Sequence, residues 1–329
     1  MSMLRNALIL AGSALLFSGC ALIIPQTSEM RQHRPEGLAP QAEITDAPFF
    51  PQLDYQCGPA ALATSLAHFG VQVTAEDLVS QVYLPERRGS LQIEMLASAR
   101  RNGLVAYQLA PRFEDVLREV AAGFPVILLQ DYGVWPLRYW HYAVVVGYDM
   151  KEGRAVLRSG EKRRLLIPYA VLEYTWKESA YWAMVTAPPG RIPATATEPT
   201  YLKAVIALEG AGNKEAARTA YAAMLERWPE SLGAGIGLAN MHYALGDLKQ
   251  AESVLRLMVV RHPDAAVAYN NLAQTLLDQG RGGEALPLAQ RALALAGDQG
   301  PVAAATRETL AAVTRSVNGA GGAVDPQKR

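Results

Sequence analysis

A thiol and an imidazole stand out for the chemistry they could share. Cys57 opens the run Cys57-Gly58-Pro59-Ala60-Ala61-Leu62, whose alanines and leucines predict a helix to Phe69 that Gly70 stops. A thiol at a helix start meets the positive end of the helix dipole and free amide groups, which favour its anion. His141 heads Trp140-His141-Tyr142-Ala143-Val144-Val145-Val146-Gly147-Tyr148-Asp149, an apolar run that predicts a buried strand. A strand can hold an imidazole rigidly against a helix end, where it would serve a nucleophilic thiol as base and then as acid. Gln52, five residues before the thiol, can bring an amide N–H to the oxygen of a tetrahedral intermediate. Trp135, Tyr139, Trp140 and Tyr142 are expected to pack the wall of the cleft. Taken singly, a cysteine before an alanine-rich helix reads as a packed core thiol, and a histidine beside a strand as structural. Their combination with Gln52 argues for chemistry.

An imidazole that moves a proton needs a partner to orient it. Tyr142–Tyr148 and Ala155–Arg158 flank Met150–Gly153 and read as an antiparallel hairpin, which returns Ser159 and Glu161 alongside His141. Ser159 can accept an imidazole N–H bond but offers no counter-charge; Glu161 could, if it turns inward. Asp149 lies eight residues along the strand, roughly 26 Å away at about 3.3 Å per residue.

The elements that must position these groups form an α+β pattern, helices first and strands after. Thr74-Ala75-Glu76-Asp77 carries a capping-box pattern that opens a second helix. Ser90–Asn102 reads as a third helix closed by Gly103, Leu104–Leu109 as a strand, and Phe113–Ala122 as a helix. Pro125–Gln130 reads as a buried strand, and Arg164–Ile167 and Ala180–Val185 can complete the sheet. This domain is expected over 46–187, bounded by the proline-rich linker 188–199. The 329-residue chain is 50% apolar and 19% charged, with 31 Lys+Arg against 31 Asp+Glu, so it has core-forming composition and no basic bias toward nucleic acid. Two cysteines and five scattered histidines give no metal-ligand pattern, and no metal or other cofactor is expected.

The ends of the chain read differently. Residues 1–20 pair Arg5 with the 11-residue apolar run Ala7–Phe17, too short for the roughly 20 residues a membrane span needs. Leu16-Phe17-Ser18-Gly19-Cys20 resembles the bacterial lipobox, which implies lipidation of Cys20, and Ala21 after it favours an outer-membrane address facing the periplasm. Residues 21–45 read as a flexible tether with a reach of roughly 25–30 Å. With Cys20 lipidated, Cys57 is the one thiol left, either buried and inert or reactive.

From Glu198 the sequence repeats. Gly212, Gly246 and Gly280 lie 34 residues apart, as do Ala217, Ala251 and Ala285, and Tyr221, Leu255 and Ala289. Pro229, Pro263 and Gly297 keep the same interval. This is the period of the tetratricopeptide (TPR) helix–turn–helix unit. Units are expected at about 198–231, 232–265 and 266–299 within a region 200–317, with Pro301–Val317 a capping helix and 318–329 a disordered tail. Such a solenoid holds a partner protein or peptide in its groove.

Gln52 with Cys57-Gly58-Pro59-Ala60-Ala61-Leu62, followed about 80 residues later by Trp140-His141-Tyr142-Ala143-Val144-Val145-Val146-Gly147, resembles the double-glycine (bacteriocin-processing) leader peptidases over about Phe49–Val185. The resemblance implies a papain-like cysteine peptidase in which Cys57 is nucleophile, His141 general base and acid, and Gln52 the oxyanion donor. The family places an Asp, in an Asp-Pro step, after the histidine strand. Here Val156-Leu157-Arg158-Ser159-Gly160 puts Ser159 in that place, with Glu161 the alternative. The lipobox and trailing repeats resemble a bacterial subgroup of stand-alone lipoprotein members. Transporter-fused relatives use ATP, but no G-x-x-x-x-G-K-[ST] occurs here, so no nucleotide is expected. The function expected is a membrane-anchored peptidase acting on a protein or peptide substrate, with the repeats for docking. A non-catalytic envelope scaffold is the alternative, and an amide-bond transferase a third reading.

Overall fold

A computed structural model describes residues 24–52, 56–134 and 136–321. The expected signal segment, the expected lipidation site Cys20 and Trp135, expected on the cleft wall, lie outside them. The chain divides into two compact units between Ala204 and Val205.

The first unit is built on a seven-stranded sheet in which every strand pair is antiparallel. Along the chain its strands are β1 (Gln41–Glu43), β4 (Val105–Gln108), β5 (Val126–Asp131), β6 (Trp140–Asp149), β7 (Arg154–Ser159), β8 (Lys162–Pro168) and β9 (Ala183–Ala187). The order is β4-β9-β5-β6-β7-β8, with β1 added beside the far end of β6. Every residue from His141 to Tyr148 in β6 is buried. Successive strand residues face opposite sides, so both faces of the sheet are covered here. One cover is helix α2 (Cys57–His68), which packs against β6 and brings Cys57 to the strand that carries His141. Helix α3 (Ala75–Val82) lies against α2, and its Thr74–Asp77 capping box is formed. A two-residue hairpin, β2 (Tyr83–Leu84) and β3 (Gly89–Ser90), takes the start of the expected third helix, so α4 begins at Gln92 and runs to Arg101.

The flexible tether expected over 21–45 is corrected by its described part. Helix α1 (Pro25–Gln32) offers its first free amides, Gln26 N and Thr27 N, to the buried Glu173 carboxylate at 2.9 and 2.6 Å. Glu173 belongs to helix α6 (Tyr169–Trp176), and β1 then pairs with Gly147–Asp149. A buried carboxylate at a helix N-terminus satisfies donors that would otherwise go unpaired. The linker 188–199 is corrected in the same way. Helix α5 (Phe113–Ala121) carries Glu119, which is fully buried and accepts from Ala194 N, Thr195 N and Thr195 Oγ1 at 3.0, 2.8 and 2.6 Å. The Arg191 guanidinium stands 4.6 Å over the Phe124 ring. The unit therefore takes in residues on both sides of the expected 46–187.

Helix α7 (Glu198–Gly210) spans the division between the units. The second unit continues with α8 (Lys214–Arg227), α9 (Leu232–Ala244), α10 (Leu248–Arg261), α11 (Ala266–Asp278), α12 (Gly282–Ala296) and α13 (Pro301–Gly321). Gly212, Gly246 and Gly280 have φ of 89°, 84° and 77°, the left-handed conformation that lets one helix turn into the next. Ala217, Ala251 and Ala285 are fully buried where helices pack closely. Helix α13 overruns the expected end at Val317 to Gly321; once a helix is nucleated each further residue adds a hydrogen bond, so the glycines do not stop it at once. The rest of the expected tail lies outside the described residues.

Candidate active site

Cys57 is the first residue of α2, after Gln56 at the N-cap. A Cβ on Gly58 would stand 2.3 Å from Ser90 Oγ, so glycine is what lets β3 close over the helix start. Pro59 sits in the first turn, where a missing N–H costs nothing.

Gln52 ties this helix start to the sheet. Its Oε1 accepts from Gly160 N at 2.8 Å, its own N–H donates to Gly160 O at 3.1 Å, and its Nε2 donates to Tyr142 O at 3.1 Å. One Nε2 hydrogen serves that bond, and an amide carries two. The backbone N–H groups of Tyr142, Gly58 and Cys57 face the Cys57 sulfur. Gln52, Cys57, His141, Tyr142 and Gly160 line one cavity of about 680 Å³.

His141 is buried, and its Nε2 lies 2.8 Å from the buried Ser159 Oγ. The contact with Ser159 engages Nε2 and not Nδ1. Tyr132 stacks on the imidazole, centroids 5.0 Å apart and planes at 26°. Its hydroxyl donates to Gln130 Oε1 at 3.0 Å, and Gln130 Nε2 donates to Thr175 Oγ1 at 2.6 Å. Thr175 in turn bonds the carbonyls of Val171 and Leu172, so uncharged groups link the imidazole support to α6. Glu161 is exposed in the turn between β7 and β8. Asp149 stands at the other end of β6, where Oδ1 accepts from Lys151 N and Glu152 N at 2.8 and 3.0 Å and closes the turn.

Burial sets the charge state. It pushes the Cys57 thiol above its ordinary range, and the three facing N–H groups offset this only in part. That corrects the expectation that the helix start lowers the thiol: desolvation outweighs the dipole. Burial also pulls His141 from 6.5 down to about 4. Burial thus disfavours the charged form of both groups.

The charged residues lining the cavity are Arg87, Arg88 and Arg138, with no carboxylate among the described lining residues. Tyr139 and Trp140 line it and are exposed, while Tyr142 is buried and donates to Ser90 O at 3.1 Å. Asp131, whose side chain is almost wholly buried, binds Arg138 at 2.6 Å and accepts from Gly133 N and Tyr139 N. It thereby shapes the loop beside the cleft, and Arg138 holds its carboxyl below the ordinary range against the opposing effect of burial. Sequence reasoning passed over Asp131, Tyr132 and Gln130. Two polar residues ending the apolar run Pro125–Leu129 were the available signal. Among the described residues no His/Cys/Asp/Glu cluster is arranged to hold a metal, and no helix is long and apolar enough to cross a membrane.

Residues 44–159 match the Peptidase_C39 like family, and residues 208–274 and 265–296 match tetratricopeptide repeat families. No curated protein matches the sequence at a significant level. Similar solved structures include a candidate C39-like peptidase from Bacillus anthracis, at 17% identity and TM-score 0.37, covering 45% of this chain and 97% of that one. Another is the first TPR domain of Spaghetti (RPAP3) bound to an HSP90 peptide, at 16% identity and TM-score 0.34, covering 37% and 93%. A third is the type III secretion translocator chaperone SycD of Yersinia enterocolitica, at 17% identity and TM-score 0.35, covering 40% and 99%.

Proposed function

Because the chain carries a Peptidase_C39-like domain followed by TPR repeats, we propose that it is a cysteine peptidase that hydrolyses peptide bonds of a protein or peptide substrate. The observation that carries this reading is the meeting of Cys57 and His141 in one cavity, with His141 Nε2 held by Ser159 and Gln52 fixed beside them. If the Nε2–H donates to Ser159, the Nδ1 lone pair is free to accept the thiol proton.

The Cys57 sulfur attacks the scissile carbonyl as its proton passes to Nδ1. The oxygen that becomes negative takes the second Nε2 hydrogen of Gln52 and the backbone N–H of Cys57. His141 returns its proton to the leaving amine. Water then cleaves the thioester with His141 again as base. The repeats dock the substrate or a partner protein. Lipid on Cys20 anchors the chain to the cell envelope, at the outer membrane facing the periplasm, which mass spectrometry of the mature N-terminus would test.

A second reading is favoured by one observation: Ser159 bonds His141 where the family has a carboxylate, which would suit a domain that binds peptide without cutting it. Alkylation by iodoacetamide at neutral pH separates the two. A peptidase should be alkylated at Cys57 at least tenfold faster than its His141→Ala variant. Equal, slow rates in both would favour the binding protein.

A further inference from the structure

Away from the Cys57 cleft, the first unit contains a second cavity, of about 230 Å³, lined by Thr27 and Arg31 of α1, Arg34 after it, Met150 and Lys151 of the β6–β7 turn, and Tyr169 of α6. It shares no lining residue with the cleft. Two features set it apart. Thr27 and Tyr169 are 1% and 6% exposed, and the hydroxyl of each is buried with no hydrogen-bond partner among the described residues. Buried hydroxyls are rarely left unpaired, and an orphaned pair in one cavity points to a missing acceptor. The second feature is charge. Arg31, Arg34 and Lys151 border the cavity, no carboxylate is among its lining residues, and none of the three cations is paired with an acid among the described residues. The nearby carboxylates are occupied elsewhere: Asp149, whose charge reaches Tyr169, by the amides of Lys151 and Glu152, and the buried Glu173 by the amides of Gln26 and Thr27.

We infer that this cavity binds the phosphate of a small phosphate ester such as glycerophosphate. Two O–H donors and three cations exceed what one carboxylate can accept, whereas a phosphate ester offers several strong acceptor oxygens and suits the arginine fork. The cavity has room beyond the phosphate, and Met150 gives that remainder an apolar wall. The ester is either the headgroup of a membrane lipid or a soluble metabolite. The inference does not rest on the peptidase reading.

Tyr169→Phe and Thr27→Val make the test clean, since hydroxyls without partners in the fold can be removed with no bond lost. The full-length protein in neutral detergent is titrated with sn-glycerol 3-phosphate and, separately, with phosphatidylglycerol in mixed micelles, following thermal stability and calorimetric binding. The wild type should bind at least one of them. Tyr169→Phe and Thr27→Val should each weaken binding about fivefold or more without lowering the unliganded Tm, and Arg31→Gln with Arg34→Gln should abolish it. Response to the soluble ester identifies a metabolite, and response only to phosphatidylglycerol identifies a headgroup. No binding of either, or binding that survives both hydroxyl deletions, overturns the inference.

Discussion

Ser159 bonds the His141 ring, and its replacement tests how that ring is held. Ser159→Ala removes the acceptor 2.8 Å from Nε2 and leaves a buried N–H without it. With neutral imidazole such a bond is worth about 0.5–1.5 kcal/mol, and with the protonated ring about 1.5–3. The difference, about 1–1.5 kcal/mol, is what the transition state loses beyond the ground state, so kcat should fall roughly five- to twelvefold. Ser159→Asp is the informative counterpart. A carboxylate at that distance favours the imidazolium and should raise the His141 pKa from about 4 by roughly 1–3 units. The acid limb of the pH–rate profile should move up with it. Turnover of a fluorogenic peptide selected from a library gives the rates, and the imidazole proton resonances give the pKa. A loss above a hundredfold in Ser159→Ala would mean that Ser159 does more than orient the ring. A His141 titration unmoved in Ser159→Asp would refute the contact itself.

Three further outcomes follow from the same structure. Because His141 titrates near 4 when folded and near 6.5 when unfolded, the unfolded chain binds its proton more tightly between those values. Stability should be full above pH 6.5 and fall by about 3 kcal/mol as the pH drops to 4, a fall that urea titrations should find much reduced in His141→Gln. Gly58→Ala forces a Cβ to within 2.3 Å of Ser90 Oγ and should cost about 1–3 kcal/mol, read as a lowered Tm. Glu173→Ala strips the carboxylate from Gln26 N and Thr27 N, so limited proteolysis should cut near residues 24–32 much faster than in the wild type.

Much of the fold was legible because the signals were local. The apolar run after His141, the alanine-rich helix after Cys57 and the 34-residue period each specify an element from neighbouring residues. The hairpin arithmetic likewise placed Ser159 and Glu161 near the imidazole and Asp149 in the distant turn, although it could not say that Glu161 faces solvent. What was missed depends on residues far apart in sequence. Helix α1 reads as a proline-containing polar stretch until Glu173, 147 residues from Gln26, caps it. Helix α6 is rich in aromatic and β-branched residues with weak helix propensity, yet Tyr169, Leu172 and Trp176 form a buried helical stripe that could have been noticed. The thiol's ionisation was misjudged because the helix dipole is visible in a sequence and the desolvation that overrides it is not. Tyr132 supports His141 through ring stacking, which no spacing rule announces.

The central claim, peptide-bond cleavage by Cys57, is tested most directly by profiling new protein N-termini in the cell envelope of cells expressing the wild type or Cys57→Ala at equal levels. The account predicts a defined set of cleavage products present with the wild type, absent with Cys57→Ala, and strongly reduced with His141→Ala. Indistinguishable N-termini across the three, with all proteins folded and equally abundant, would contradict it.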